Sequence, residues 1–346
     1  MNGGIKTMVV DDSSLFRKVI GRMFDGDESI RIVGEAVNGM DALEKINDIN
    51  PDVLILDINM PVMDGLTTLK HIMIRHPRPT VMFSTLTKAG AKITFDSLKC
   101  GAVDFVQKPS RLQGFDLEEQ RKDIIKKVTL AAGVETKNFR YLRTPARKLI
   151  AGKKKEINYI FAIGASEGGF GGLLKLLPQL NPGLPVAFIV VLHEETHHVK
   201  AFVNYLQSIC QIDVKTAEND QPLESGTCYI ASGTDYVTVE PSSGRYLLQV
   251  SPSPFPNRKG AINMLMFSVS DALRQNAVAV MLSGSGDDGV EGSLEITRRG
   301  GILIVQDPAT CLCKAAPEAA LKNISGQSVI VSDMEMADKI NACFYE

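Results

Sequence analysis

Between Lys6 and about Gln107, short apolar runs rich in β-branched residues alternate with amphipathic stretches of helical character: KTMVV, RIVGEA, DVLILD, TVMFS and VDFVQ. That rhythm predicts a doubly wound parallel sheet. A second series opens at Tyr159 with YIFAIGAS and continues through VAFIVVL and AVAVMLSG, with EGGFGGLLKLLPQL entering a helix after the first run. The expected fold class is α/β, with two doubly wound parallel-sheet domains. Length agrees, because 346 residues exceed what one hydrophobic core usually organises. Between the halves, LEEQRKDIIKKVTLAA reads as the last helix of the first domain, and Gly133, Pro145 and Gly152 interrupt the polar, basic stretch after it. The expected layout is a first domain over residues 1–125, a linker over 126–155 and a second domain over 156–346.

Composition narrows the class of partner. A formal net charge of -2 supplies no electrostatic reason to expect nucleic acid. The basic cluster Arg140, Arg143, Arg147, Lys148, Lys153, Lys154 and Lys155 reads as a solvated linker. No run of about twenty uninterrupted apolar residues occurs, so direct membrane insertion is not expected. The opening MNGGIKTMVVDDSS runs into acidic residues too early for a secretory signal, which points to the cytoplasm. The six cysteines lack the spacings of a zinc site or a disulfide framework and read as reduced thiols.

In the first series the polar residues collect at the carboxyl ends of the strands, where ligands of such sheets bind. Asp11 and Asp12 follow the first strand, Asp57 ends the third, Ser84 ends the fourth and Lys108 follows the fifth. Three gathered carboxylates suit a magnesium ion, which needs few protein ligands. Asp57 would then be a nucleophile toward a phosphoryl group, with Lys108 adding positive charge and Ser84 a hydrogen bond. Taken singly, each is an ordinary strand-end polar group.

Together VVDDS, LDINMPVMDG, FST and QKPS resemble the response-regulator receiver family over about the first 110 to 125 residues. The resemblance implies a flavodoxin-like receiver phosphorylated on Asp57. It further implies magnesium held by Asp11, Asp12, Asp57 and the backbone carbonyl of Asn59, with a typically cis bond before Pro109 aiming Lys108 inward. Phe105 stands where receivers carry an aromatic switch residue, although a plain core aromatic on the last strand is an equal reading.

In the second series, Gly164-Ala165-Ser166-Glu167-Gly168 fits G-x-S-x-G, a strand-to-helix turn that exposes a nucleophilic hydroxyl. Glycine-rich turns of this kind also cradle phosphates, so a base is needed. VAFIVVL ends at His193, and AVAVMLSG leads to Asp287 and Asp288. Serine, imidazole and carboxylate at the ends of strands of one sheet can converge: His193 would take the proton of Ser166, and Asp288 would orient the ring.

GASEGG, VVLH, YIASG, SGSGDDG and VQDPAT resemble the catalytic domain of chemotaxis methylesterases over roughly residues 156 to 346. The resemblance implies a Rossmann-like esterase domain that hydrolyses glutamate methyl esters on methyl-accepting chemoreceptors, releasing methanol, and in some members deamidates receptor glutamines. No cofactor is implied at the esterase site. The implied phosphodonor is the chemotaxis histidine kinase, and phosphorylation is implied to relieve a receiver that covers the active site. Asp288, directly before Gly289, matches the family's aspartate-glycine pair. Departures are Glu167 where threonine is usual, Ser285 where methionine is usual, Tyr236 in place of a histidine, and EETHHVKAF without its usual prolines. The amide of residue 285 would be an oxyanion donor whatever its side chain. Glu167 is less innocent, since a carboxylate beside His193 would favour imidazolium and weaken a general base.

Two rival readings stand beside this one. His193-Glu194-Glu195-Thr196-His197 matches the zinc-protease pattern H-E-x-x-H, which requires a helix. A catalytically weakened or silent phospho-gated receptor-binding module is the other.

Overall fold

The computed structural model describes residues 4–84, 88–108, 117–135, 142, 155–254, 260–322 and 326–343. Pro109 and the peptide bond before it lie outside that set, as does most of the basic cluster. The chain divides into two compact units, Met1–Leu142 and Arg143–Glu346.

The first unit alternates strand and helix throughout: β1 (Ile5–Val10), α1 (Ser14–Phe24), β2 (Ile30–Ala36), α2 (Gly39–Ile49), β3 (Val53–Asp57), α3 (Gly65–Arg75), β4 (Thr80–Ser84), α4 (Lys88–Lys99), β5 (Asp104–Gln107) and α5 (Leu117–Ala132). Its sheet has the order β2-β1-β3-β4-β5, with every pairing parallel. Strands covered on both faces read as continuous apolar runs, and β3 and β4 are buried at every position. Helices start where side chains cap them. Ser13 accepts from the Phe16 amide, Asn38 from Asp41 and Asp64 from Thr67. Ile124, Val128 and Ala131 of α5 pack against Val9, Val53, Val81 and Phe83. Helix α5 spans the whole of LEEQRKDIIKKVTLAA, as its sequence predicts, and so runs into the stretch 126–155 assigned to the linker.

The second unit opens with β6 (Tyr159–Ala165), α6 (Gly169–Leu176), β7 (Val186–Leu192), α7 (Thr196–Ile209), β8 (Asp213–Thr216), β9 (Gln221–Pro222) and β10 (Thr227–Ser232). Then come β11 (Asp235–Ser242), β12 (Arg245–Pro252), α8 (Ala261–Leu273), β13 (Ala277–Met281), α9 (Val290–Arg298), β14 (Ile302–Gln306), α10 (Ala315–Lys322), β15 (Ser328–Val331) and α11 (Met336–Cys343). The parallel sheet runs β15-β14-β13-β6-β7-β10-β8. From β6 the chain moves outward to one side and later returns to β13 on the other. The topological switch point therefore falls between β6 and β13.

Both sheets are parallel with helices between strands, so the α/β expectation holds. The pattern of the chain did not foretell an antiparallel ribbon, β11-β12-β9. Ser243 and Gly244 turn this hairpin with φ values of 47° and 79°, as a tight turn with two left-handed residues requires. Val237, Val239 and Leu248 of the ribbon join Ile262, Leu265 and Val269 of α8 in the core. The ribbon thus supports the helix whose amino end meets the site. Among the described residues no helix is long and apolar enough to cross a membrane.

Candidate functional site

In the first unit the residues singled out from the sequence gather at the carboxyl edge of the sheet, next to the β1/β3 switch point. Asp11, Asp12 and Asp57 each present a carboxylate oxygen within 4.8 Å of the others. Lys108, just past β5, spans two of them, with Nζ 2.8 Å from Asp11 Oδ2 and 2.8 Å from Asp57 Oδ1. The other oxygen of Asp11 accepts from the Ser13 amide at 2.8 Å, which holds the carboxylate in place. Asp12 is exposed, whereas Asp11 and Asp57 are buried.

Burial pushes the Asp57 carboxyl above its ordinary value, while Lys108 and the Asn59 amide, both donating to it, pull the other way. Three carboxylates with one lysine leave surplus negative charge in a small space. That donor set fits a hard divalent cation coordinated by oxygen. Asn59 is exposed, two residues past Asp57.

Of the three switch candidates, Lys108 joins these carboxylates, whereas Ser84 and Phe105 make other contacts. Ser84 Oγ lies 2.5 Å from Thr94 Oγ1, and Thr94 in turn donates to the Gly90 carbonyl at 2.8 Å. The Ser84 hydroxyl is thus engaged with α4. Phe105 is buried and packs edge-on to Phe95, with ring centroids 5.9 Å apart. The Lys127 ammonium lies 5.3 Å from its ring centroid on the α5 side.

In the second unit Ser166 follows β6, His193 follows β7 and Asp288 lies beyond β13, so three adjacent strands deliver them to one edge. At the turn after Ser166, Gly168 has φ 81°, and a Cβ there would come within 2.7 Å of both Leu312 and Ser283. Only glycine fits that bend. His193 Nε2 is 2.8 Å from Asp288 Oδ2. Asp288 also accepts from the amides of Ile262 and Asn263, each at 3.0 Å, satisfying donors of the first turn of α8. The carboxylate is therefore locked before it meets the ring.

His193 Nδ1 is buried without a hydrogen-bond partner. The backbone crowds it: a Cβ on Gly233 would sit 2.1 Å from that nitrogen.

Ser166 makes other bonds. Its Oγ donates to Glu167 Oε2 at 2.7 Å and accepts from the Ser285 amide at 2.8 Å. The same amide lies 3.0 Å from Glu167 Oε2. Serine, carboxylate and backbone donor form one cluster, imidazole and Asp288 a second, and no hydrogen bond among the described residues joins Ser166 to His193. Glu167 was expected to trouble the imidazole, whereas these bonds tie its carboxylate to the serine and to the proposed oxyanion donor.

Ser283 braces the loop that presents Ser285. Its Oγ lies 2.6 Å from the Glu167 carbonyl and accepts from the Cys313 amide at 3.0 Å, and its own amide donates to Gln306 at 2.9 Å. Reading the sequence missed Ser283, Gly233 and the amides of Ile262 and Asn263. The small residues of SGSG and YIASG were visible, but their partners lie far away in the chain.

The zinc pattern dissolves in three dimensions. Helix α7 begins at Thr196, so His193 lies outside it, and His193 Nε2 is taken by Asp288. His197 instead lies against His198, with ring centroids 4.1 Å apart and planes tilted by 58°, and burial lowers its pKa. His198 Nδ1 lies 3.2 Å from Glu194 Oε2.

Comparisons with known proteins agree with the two-unit α/β architecture. The family model described as CheB methylesterase matches residues 161–340, and that of the response regulator receiver domain matches residues 7–116. A protein-glutamate methylesterase/protein-glutamine glutaminase of Pyrococcus horikoshii is 34% identical over 328 residues, covering 93% of this chain and 89% of that protein. One from Oleidesulfovibrio alaskensis is 35% identical over 369 residues, covering 99% of this chain and 100% of its own. The crystal structure of the Thermotoga maritima CheB methylesterase catalytic domain superposes with a TM-score of 0.51 at 24% identity, over 54% of this chain and 98% of that one, and supports the fold. The matches to both family models, together with relatives 34–35% identical over more than nine-tenths of its length, place this chain in the CheB methylesterase family.

Proposed function

We propose that the second unit hydrolyses γ-methyl esters of glutamate side chains on chemoreceptors, with Ser166 as nucleophile, His193 as general base and acid, and Asp288 as the group that orients the imidazole. The observation that carries the reading is the delivery of these side chains by β6, β7 and β13 to one sheet edge, with the His193–Asp288 bond formed at 2.8 Å and the Ser285 amide aimed at Ser166 Oγ. The names of the relatives supply the substrate class.

The steps follow from the atoms present. Asp288 accepts the Nε2 proton of His193, which leaves Nδ1 as the lone-pair nitrogen, and Nδ1 has no partner to give up. Ser166 Oγ leaves Glu167, loses its proton to the imidazole and attacks the ester carbonyl carbon. Negative charge then develops on the carbonyl oxygen, where the Ser285 N–H can stabilise it. Collapse breaks the bond to methoxide, which leaves as methanol with the proton from His193. Water, deprotonated by the same ring, then cleaves the acyl-serine to give the glutamate carboxylate. A glutamine amide would follow the same course with ammonia as leaving group.

The first unit is read as the control. Asp57 is the phosphoacceptor, and the histidine kinase of the chemotaxis system is the donor. Asp11, Asp12, Asp57 and the Asn59 carbonyl would hold magnesium, which supplies positive charge against the incoming phosphoryl group. Lys108 adds a second cation, and phosphorylation raises the esterase rate.

The test is methanol release from methylated receptor membranes by the parent and by Ser166→Ala, each with and without a chelator. Release lost with Ser166→Ala and kept with chelator supports the esterase. Release that survives the substitution contradicts it, and receptor binding with no release in either form would favour the silent binding module.

A further inference from the structure

Ser166 Oγ, Glu167 Oε2 and the Ser285 amide nitrogen form a closed triangle with sides of 2.7, 2.8 and 3.0 Å. In a tetrahedral adduct on Ser166, the oxyanion shares its carbon with Oγ and accepts from the Ser285 N–H. A carboxylate oxygen that touches both Oγ and that amide lies where this oxyanion must go. We infer that Glu167 is a built-in occupant of the oxyanion position, a resident carboxylate that holds the serine out of reach of the histidine until substrate displaces it. This inference rests on the esterase reading.

One further feature of the site agrees with it. The nitrogen that should receive the serine proton, His193 Nδ1, is buried and has no partner. The serine proton it should receive is donated to Glu167. One side chain thus accounts both for the filled oxyanion position and for the idle base.

The chemistry of the occupant is that of the product, because ester hydrolysis turns the substrate side chain into a glutamate carboxylate and Glu167 is itself a glutamate. An ionised carboxylate accepts more strongly from the serine hydroxyl and the Ser285 N–H than a neutral ester carbonyl does. Substrate therefore enters against competition, and the binding-competent state is a fraction of the whole. Were Glu167 to stay in place during attack, its charge would also oppose the developing oxyanion.

The test compares the parent with Glu167→Ala, Glu167→Thr and Glu167→Gln by two readouts on the full chain. The first is the rate at which a fluorophosphonate labels Ser166, a reaction in which the serine oxygen bonds to phosphorus, fluoride leaves and the proton passes to the base. The second is KM and kcat for methanol release. The alanine and threonine variants are expected to label roughly tenfold faster than the parent, with KM lowered by a similar factor and kcat no lower. Glutamine keeps the size and a neutral acceptor and should fall between, which separates loss of the occupant from loss of structure.

Slower or unchanged labelling in the alanine and threonine variants, with the parent reactive and the glutamine variant folded, would overturn the inference and leave the esterase reading standing. Absence of Ser166 labelling and of methanol release in every folded form would sink both.

Discussion

The two sites use the same part of the same architecture, the carboxyl edge of a parallel sheet at its switch point, and differ in how complete their wiring is. In the receiver, Lys108 spans Asp11 and Asp57 at 2.8 Å, so the charged groups are already joined. In the candidate site of the second unit the groups form two clusters, Ser166–Glu167–Ser285 and His193–Asp288, and no hydrogen bond among the described residues joins Ser166 to His193. Strong opposite charges assemble themselves across a switch point. A neutral hydroxyl has no such pull, and a nearby carboxylate can take it first.

The largest test of this contrast is all or none. Asp57→Asn should abolish phosphate incorporation from a small phosphodonor, and with it any rise in methanol release. A variant that responds as the parent does would break the link between the two sites.

Next in size, Asp288→Asn should lower kcat by a factor on the order of 10³ while substrate binding changes little, because an amide cannot hold the imidazole in the same tautomer. The same substitution weakens acceptance from the Ile262 and Asn263 amides, so thermal unfolding should also show a loss of about 1 kcal/mol. Gly233→Ala should follow with a roughly hundredfold fall in kcat at nearly unchanged stability, since its Cβ would lie 2.1 Å from His193 Nδ1 and must push the ring off station. Unchanged kcat in that variant would mean that the ring works from another position.

The smallest effect concerns stability and pH in the receiver. Burial raises the Asp57 carboxyl, so the folded chain holds that proton more tightly than the unfolded chain does. Its contribution therefore opposes folding once pH has risen through the folded value, and vanishes below the unfolded one. In buffer free of divalent ions, Asp57→Asn should stabilise the first unit at neutral pH, with the gain shrinking on acidification. A gain that grew as pH fell would reverse the sign of this argument.

Much of the fold could be read from the sequence because the strands that carry the sites are buried on both faces. VLILD, TVMFS, VAFIVVL and AVAVM leave no other reading, and each ends at or just before a polar residue of the sites. The antiparallel ribbon escaped because DYVTVEPS and RYLLQVSP alternate apolar and polar positions beside a long parallel series, and the eye follows the series. H-E-x-x-H misled for a related reason, since a pattern of letters does not say where α7 begins. The residues that brace the esterase site are glycines, serines and backbone amides, whose role depends on distant partners. Glu167 was conspicuous as a departure from the family, yet only its rotamer could tell that the carboxylate turns to Ser166.

If Ser166 and His193 act as one unit, removing either should cost as much as removing both. Methanol release by Ser166→Ala, by His193→Ala and by the double variant measures this directly. Groups that share one step lose together, so all three should fall to the same residual rate, at least roughly 10³-fold below the parent. Losses that multiply in the double variant, or release retained by His193→Ala, would contradict the account.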